Sequence, residues 1–563
     1  MPLSFESASK FHWSVRKIAV IGPGIVGMPM AALLAHAGIR EGNDEPAQVV
    51  VVQRASPTSA WKVDAINQGR SVIGGIEPDL DDLVAGAYSR GCLSATHDYA
   101  DIADADLILI SVQTDRDGFG PDYGPLMESL DCLGEALQER PAGNIPVVVF
   151  ESTLAPSSMH TVIRERFAAH GLIEGVDVLL GNSPNRVMPG RLVERVAQSD
   201  KLVAGLHPLT PVLINRIYSR IVTRGHLHQI NSMTAEFVKT LENAYRDVRI
   251  AFAAQLVRQC DEADIGFFVL RDEVNHRLAQ SDAASGCATA VPSGAILVPS
   301  VGVGGHCLPK DGVLLWWRRY QSGAEVSDSH ILNARHINDA SPAAAIALAE
   351  RKLGALQGRT VALLGTAYRF DSEDTRNSPT LVLARQLMER GATVVLHDPY
   401  VKPDDQNLRK AGLTDYFTNS LPRAVGDADV LFFCVGHTVY QDSLDEMLHM
   451  AGNASAVFDG ANLYEAARFV ASPVTYAGIG RGTQAPDEAL VRQTIAQFKA
   501  MEQGVSRELQ ALIRFLNANY AADAFNEIDF EVVRSLAGSC VTGCEIAAVE
   551  PGSRAHEPGL QAA

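Results

Sequence analysis

No stretch of this 563-residue chain approaches the roughly 20 consecutive apolar residues that a membrane span needs. The N-terminus, MPLSFESASK, has neither the apolar core nor the basic start of a secretory signal. Cysteine is sparse and scattered. Cys92, Cys132, Cys260, Cys287, Cys307, Cys434, Cys540 and Cys544 form no disulfide framework and no CxxC zinc knuckles. These absences predict free thiols and a cytoplasmic protein. Positive charge is in deficit: 48 Lys and Arg stand against 66 Asp and Glu, a net charge of −18. A nucleic-acid or anionic-membrane partner is therefore not expected, although a local basic pocket for a phosphorylated ligand is compatible with that balance. The chain is also too long for one hydrophobic core, so three or four domains are expected.

What is present begins at residues 17–27, KIAVIGPGIVG, followed by an apolar helical stretch to Gly38. This is GxGxxG between a strand and a helix, the context that gives the motif meaning. Gly22 permits the tight turn, Gly24 lets a pyrophosphate approach the backbone, and Gly27 lets the helix pack on the strand. A tight turn in some other α/β fold is the plain alternative. The next strand, VVVV at 49–52, ends in Gln53 and Arg54. An acid there would bind a ribose 2′-OH, whereas an arginine accommodates a 2′-phosphate, stacks on adenine or points to solvent. NAD is the expected cofactor, with NADP not excluded.

Further apolar runs at 107–112, 147–150 and 178–181 predict a doubly wound parallel sheet whose carboxyl ends carry SVQT (111–114), EST (151–153) and NSPNR (182–186). Residues 232–264 contain no Gly or Pro, and Phe237, Leu241, Ala244, Val248 and Phe252 recur at helical spacing. That predicts a long spine helix with Lys239 and Asn243 on one face. Read alone, these two are better explained as a solvated lysine and a surface asparagine than as a site. A second α/β pattern starts at 360 without an intact GxGxxG, and a helical tail runs from about 486 to 563. The CxxxC of Cys540 and Cys544 reads as incidental. Cys307, in VGVGGHCLPKDG (301–312), has three readings: nucleophile, metal ligand or buried thiol.

From about residue 15 to 485 the chain resembles the UDP-glucose/GDP-mannose dehydrogenase family. The motifs come in the family's order: GPGIVG, ESTLAP, SPNRVMPG, AEFVKTLENAYR, GVGGHCLPKD, GTAYRFDSEDTRNSP, HDPYV and YAGIGRG. The resemblance implies two Rossmann-like doubly wound domains joined by a long central helix and a helical dimerisation region. The expected boundaries are 15–228 for dinucleotide binding, 229–340 for the centre with the catalytic cysteine, 341–485 for UDP-sugar binding, and 486–563 for a tail of unknown role. It implies a four-electron oxidation of a UDP-sugar C6 alcohol to the acid, a homodimer or larger assembly, and a role in polysaccharide biosynthesis.

Carried over by motif, Cys307 is the nucleophile that forms a thiohemiacetal and then a thioester. Lys239 and Asn243 surround the C6 oxygen, Asp311 orients the catalytic water with Lys239, and Thr153 holds that water. Gly22, Gly24, Ile25, Val26, Gly27, Gln53, Arg54, Thr114, Thr153 and Arg376 fall on the cofactor side. Asn185, Arg186, Lys239, Asn243, Gly304, Gly305 and Arg369 fall on the substrate side, the glycines letting the backbone crowd the sugar. Lys310 is a further group positioned by sequence to favour the thiolate. No metal is expected.

Three departures stand out. Gln53 replaces the strand-end acid, Asn185 replaces the glutamate of the usual SPE, and Ala461 stands where an arginine is usual. Asn185 cannot accept a proton, which leaves Asp311 or Glu151 to activate water. GGHC, ESTLAP and SPNRVMPG favour the UDP-N-acetylhexosamine branch (UDP-GlcNAc or UDP-ManNAc), while PKD is the UDP-glucose ending. UDP-glucose is the second reading. A nucleotide-sugar-binding relative without turnover, and an enzyme that stops at the aldehyde or rearranges without net oxidation, are the others.

Overall fold

The computed structural model describes residues 12–74, 77–140, 145–187, 189–284 and 295–537. Its short β-branched runs become buried strands. The first sheet contains β1 (Lys17–Ile21), β2 (Gln48–Val52), β3 (Leu93–Thr96), β4 (Leu107–Ile110), β7 (Val147–Phe150), β8 (Leu179–Asn182), β9 (Lys201–Gly205) and β10 (Leu227–Asn231). A separate small hairpin, β5 (Asp115–Asp117) with β6 (Gly120–Asp122), sits between β4 and β7. The strand order is β10-β9-β8-β7-β4-β1-β2-β3. Order reverses between β1 and β4, so the crevice at their carboxyl ends is the place where a dinucleotide fits.

The expectation of an all-parallel sheet is corrected at one pair: β8 and β9 run antiparallel. The link between them carries the short helix Leu192–Gln198, and β9 returns along the edge of β8 instead of crossing over. The second sheet, β11 (Thr360–Leu364), β12 (Thr393–His397), β13 (Phe417–Thr418), β14 (Val430–Phe433), β15 (Ala456–Asp459) and β16 (Thr475–Gly478), is parallel throughout, in the order β13-β12-β11-β14-β15-β16. Its own reversal point lies between β11 and β14.

Between the sheets runs the central helix, Ser232–Glu262, capped by Asn231, whose side chain accepts from the Thr234 N–H at 2.8 Å. It packs against the helix Leu308–Gln321, here called the cysteine helix, and against His330–Asp339. Among the described residues no helix is long and apolar enough to cross a membrane.

The expected tail is a second long helix, Glu488–Tyr520, capped by Asp487. Its buried residues Val491, Thr494, Phe498, Glu502, Val505, Leu509, Leu512 and Leu516 recur every three or four positions. Its C-terminal half joins the same apolar cluster as the central helix. Two carboxylates anchor it there, Glu502 buried and Glu508 half-buried. Tyr245 donates to Glu502 at 2.8 Å, and Glu508 accepts from Trp316 Nε1 and Ser329 Oγ, both at 2.6 Å, and from the His330 N–H at 2.8 Å. The segment is thus part of the wall behind the cysteine helix. Cys540 and Cys544 lie outside the described residues.

Leu509 is completely buried in that seam. Leu509→Ala is expected to cost about 2–5 kcal/mol, read as a lower urea midpoint. Arg492→Ala, on the exposed face of the same helix, should change stability by less than about 0.5 kcal/mol.

Candidate active site

Residues 22–27 form the expected turn. Gly22 has φ +90°, and its N–H donates to Val52 O at 2.9 Å, which sets the turn beside the end of β2. A Cβ on Gly27 would lie 2.1 Å from Gly22 O, so only glycine lets the helix Gly27–Ala37 pack this closely. A Cβ on Gly24 would meet nothing within 4 Å, which is the open space a pyrophosphate needs. Ile25 and Val26 are half-buried between them. The residues present fit a dinucleotide. Thr114 lies at the end of β4, and its hydroxyl donates to Thr153 O at 2.7 Å, tying the SVQT and EST loops together.

Cys307 caps the N-terminus of the cysteine helix, and its carbonyl accepts from the N–H groups of Lys310 and Asp311. It is open to solvent. Burial pushes the thiol up and Asp311 adds to that. Lys239, followed by Lys310 and Arg376, pulls it down. Lys239 is 7% exposed, which overturns the reading of a solvated lysine. Four residues along the same helix, Asn243 Nδ2 donates to Asp311 Oδ2 at 2.6 Å. Asp311 is fully buried, and burial raises its carboxyl despite Lys239, Lys310 and Asn243. Its other oxygen, Oδ1, has no hydrogen-bond partner among the described residues. Lys310 is buried and donates to the Thr114 carbonyl, so its main role is to join the cysteine helix to the dinucleotide domain. His306 lies beside Gln113 and Asp115, and burial drops it to about 4, so it is neutral at physiological pH.

The glycines before Cys307 make room for protein. A Cβ on Gly304 would sit 2.5 Å from Tyr368 Cβ, and one on Gly305, φ +87°, would sit 2.9 Å from the Tyr368 ring. Gly305 N donates to Arg376 O at 2.8 Å, and Asn377 Nδ2 donates to Gly305 O at 3.0 Å. The second domain's loop therefore latches directly onto the cysteine turn. The far side of that loop is held by buried Asp398, which accepts from the N–H groups of Thr366 and Ala367. Asp398 also pairs with His437 at 3.0 Å, and His437 Nδ1 accepts from the Asp371 N–H at 2.8 Å. The Arg376 guanidinium pairs with Asp374, and that of Arg369 lies over the Phe370 ring. Arg481 reaches Asn462 and Tyr464, next to Ala461.

Asn185 is turned towards Glu151, to which it donates, while its Oδ1 accepts from Lys201 at 3.0 Å. Lys201 also pairs with Glu151 at 2.8 Å, and Tyr218 donates to the same carboxylate. Burial lowers the Lys201 ammonium, and the neighbouring charges of Arg186 and Lys239 act in the same direction. Arg186 makes a bidentate pair with Glu242, Nε donating to Oε2 at 2.8 Å and Nη2 to Oε1 at 2.5 Å. Lys201, Tyr218, Glu242, Tyr368 and Glu236 were missed by sequence reasoning. Glu236 and Glu242 stand in the AEFVKTLENAYR motif and Tyr368 in GTAYRF, which is the signal they left. Glu236 stands three residues before Lys239. It accepts from the N–H groups of Ser157 and Met159 at 2.8 Å each, fastening the EST loop to the central helix, and burial pushes it up to about 8. No group of three His, Cys, Asp or Glu residues stands ready for a metal among the described residues.

Three family descriptions match. The NAD binding domain of the UDP-glucose/GDP-mannose dehydrogenase family covers residues 16–222, its central domain 233–340, and its UDP binding domain 362–466. A UDP-N-acetyl-D-mannosamine dehydrogenase of Pyrococcus horikoshii is 30% identical over 473 residues, covering 83% of this chain and 99% of its own. An NDP-N-acetyl-D-galactosaminuronic acid dehydrogenase of Ralstonia solanacearum is 29% identical, covering 81% and 98%. The crystal structure of an NDP-N-acetyl-D-galactosaminuronic acid dehydrogenase from Methanosarcina mazei Go1 matches with a TM-score of 0.69 at 30% identity, covering 85% and 98%.

With no substrate present, alkylation of Cys307 by iodoacetamide should show a pH midpoint above the ordinary thiol value. Asp311→Asn should move that midpoint down, because it removes a negative charge, and Lys239→Met should move it up. Peptide mass spectrometry across a pH series reads all three, and a wild-type midpoint below the ordinary value would contradict the electrostatics.

Proposed function

Because the chain belongs to the UDP-glucose/GDP-mannose dehydrogenase family, we propose that it is an NAD-dependent UDP-N-acetylhexosamine 6-dehydrogenase working through a covalent intermediate on Cys307. The observation that carries this reading is the 2.6 Å bond between Asn243 and Asp311, which joins the lysine-bearing helix to the cysteine helix. Gly22–Gly27, near Thr114 and Thr153, would hold two NAD molecules in turn, and that oxidant would let R–CH2OH, water and two NAD+ become R–COO−, two NADH and three protons.

Lys239 and Asn243 hold the C6 oxygen. The Lys239 ammonium stabilises negative charge on that oxygen as the alcohol is oxidised, and the alcohol proton passes to water. The aldehyde so formed has no hydride to give until a nucleophile adds. The Cys307 thiolate bonds to the aldehyde carbon, making a thiohemiacetal, and oxidation of that adduct leaves a thioester. Water attacks the thioester carbonyl, the C–S bond breaks, and the thiol is regenerated. Asp311 takes the water's proton on Oδ1, and its burial-raised carboxyl makes it the stronger base. Asn185 cannot do this, and its amide is already engaged with Lys201 and Glu151. Arg369 supplies positive charge towards the nucleotide's phosphates, while Arg186 and Arg376 are paired with Glu242 and Asp374. The names of the relatives support an N-acetylated hexosamine over glucose, in line with His306 in the GGHC turn.

Asn185 also favours a second reading, a nucleotide-sugar-binding relative with slow or absent release of the acid. The reading further includes a cytoplasmic protein and a homodimer or larger assembly, which light scattering checks.

A panel of UDP-GlcNAc, UDP-ManNAc, UDP-GalNAc and UDP-glucose with NAD should give two NADH per acid with an N-acetylated sugar. Silence across the panel would overturn the proposal. Cys307→Ser should abolish acid formation. Asp311→Asn should slow it at least about a hundredfold. Asn185→Glu should change the rate less than about tenfold, whereas turnover appearing only in that variant would support the second reading.

A further inference from the structure

We propose that the adenosine end of the cofactor site takes a 2′-phosphate, so that NADP is accepted alongside NAD. This rests on the dehydrogenase reading above and adds a ligand class to it.

The Gly22 N–H bonded to Val52 O fixes the end of β2 beside the pyrophosphate turn. Whatever follows Val52 therefore faces the adenosine ribose. A carboxylate there accepts hydrogen bonds from the 2′-OH and repels a phosphate. The residue is Gln53, and its amide is folded away: Nε2 donates to Ser59 Oγ at 3.1 Å and to the Arg54 carbonyl at 3.2 Å. No negative charge is left at that position.

The next residue is a cation. The Arg54 side chain is 67% exposed and reaches Glu128 Oε2 at 2.7 Å, a partner that is itself 66% exposed. A pair so open to water is weak. A dianionic phosphate offers Arg54 a bidentate, charge-assisted alternative. The loop that follows presents three hydroxyls in a tight turn. Ser56 Oγ lies 2.6 Å from Ser59 Oγ and 3.3 Å from Thr58 Oγ1, and the N–H groups of Ser59 and Ala60 both donate to Ser56 O. Gln53 braces this turn through Ser59. One exposed guanidinium beside a cluster of hydroxyls, with no carboxylate on the strand-end residue, matches the chemistry of a 2′-phosphate.

Calorimetric titration of the full chain with NAD and with NADP tests this. NADP should bind within tenfold of NAD. Arg54→Ala should weaken NADP at least tenfold more than NAD, and Gln53→Asp should shift the preference at least tenfold towards NAD. NAD binding with NADP more than tenfold weaker, or an Arg54→Ala loss equal for both, would overturn the proposal and leave the dehydrogenase reading standing. Binding of neither dinucleotide would overturn both.

Discussion

The buried carboxylate of Asp311 is the constraint on which the rest of the site depends. A carboxylate taken fully out of water needs partners. Here they are Asn243, through a 2.6 Å hydrogen bond, and the charges of Lys239 and Lys310. Asn243 and Lys239 stand on one helix, while Asp311, Lys310 and Cys307 stand on another. Satisfying that one group therefore sets the register of the two helices. It also brings a thiol, an ammonium and an unpartnered carboxylate oxygen close together. Each domain then fastens to the same spot: the dinucleotide domain through Thr114 and Lys310, the second domain through Arg376, Asn377 and Gly305.

The electrostatics of the site are set against one another. Burial and Asp311 hold the thiol protonated, while Lys239, Lys310 and Arg376 work for the thiolate. A nucleophile kept neutral until it is needed is protected from adventitious alkylation and oxidation. The pair between the end of β7 and the start of β9 shows the same economy. Lys201 and Glu151 neutralise each other with Tyr218 and Asn185 completing their hydrogen bonds, so the charges of this buried cluster do not disturb Lys239 unopposed.

Local signals in the sequence were enough for much of this. GxGxxG, the Gly- and Pro-free spine, and the order of motifs around Cys307 each act within a few residues, and their strands and helices formed where expected. What escaped was set by distant partners. Nothing local marks Lys201 as the mate of Glu151, 50 residues away, or tells the antiparallel return of β9 from a parallel crossover. The glycines at 304 and 305 looked like space for a sugar, yet Tyr368 and Asn377 fill part of that space from the second domain. The tail's helical period was visible, but its seat against the cysteine helix depends on Glu508 meeting Trp316 and Ser329 across the fold.

The most direct measurement is peptide mass spectrometry of the acid-quenched Asp311→Asn variant after incubation with NAD and a UDP-N-acetylhexosamine. A covalent uronyl thioester on the peptide containing Cys307, absent when NAD is omitted, is the predicted result. Acid product accumulating with residue 307 unmodified throughout, or the adduct on another side chain, would contradict covalent catalysis at this cysteine.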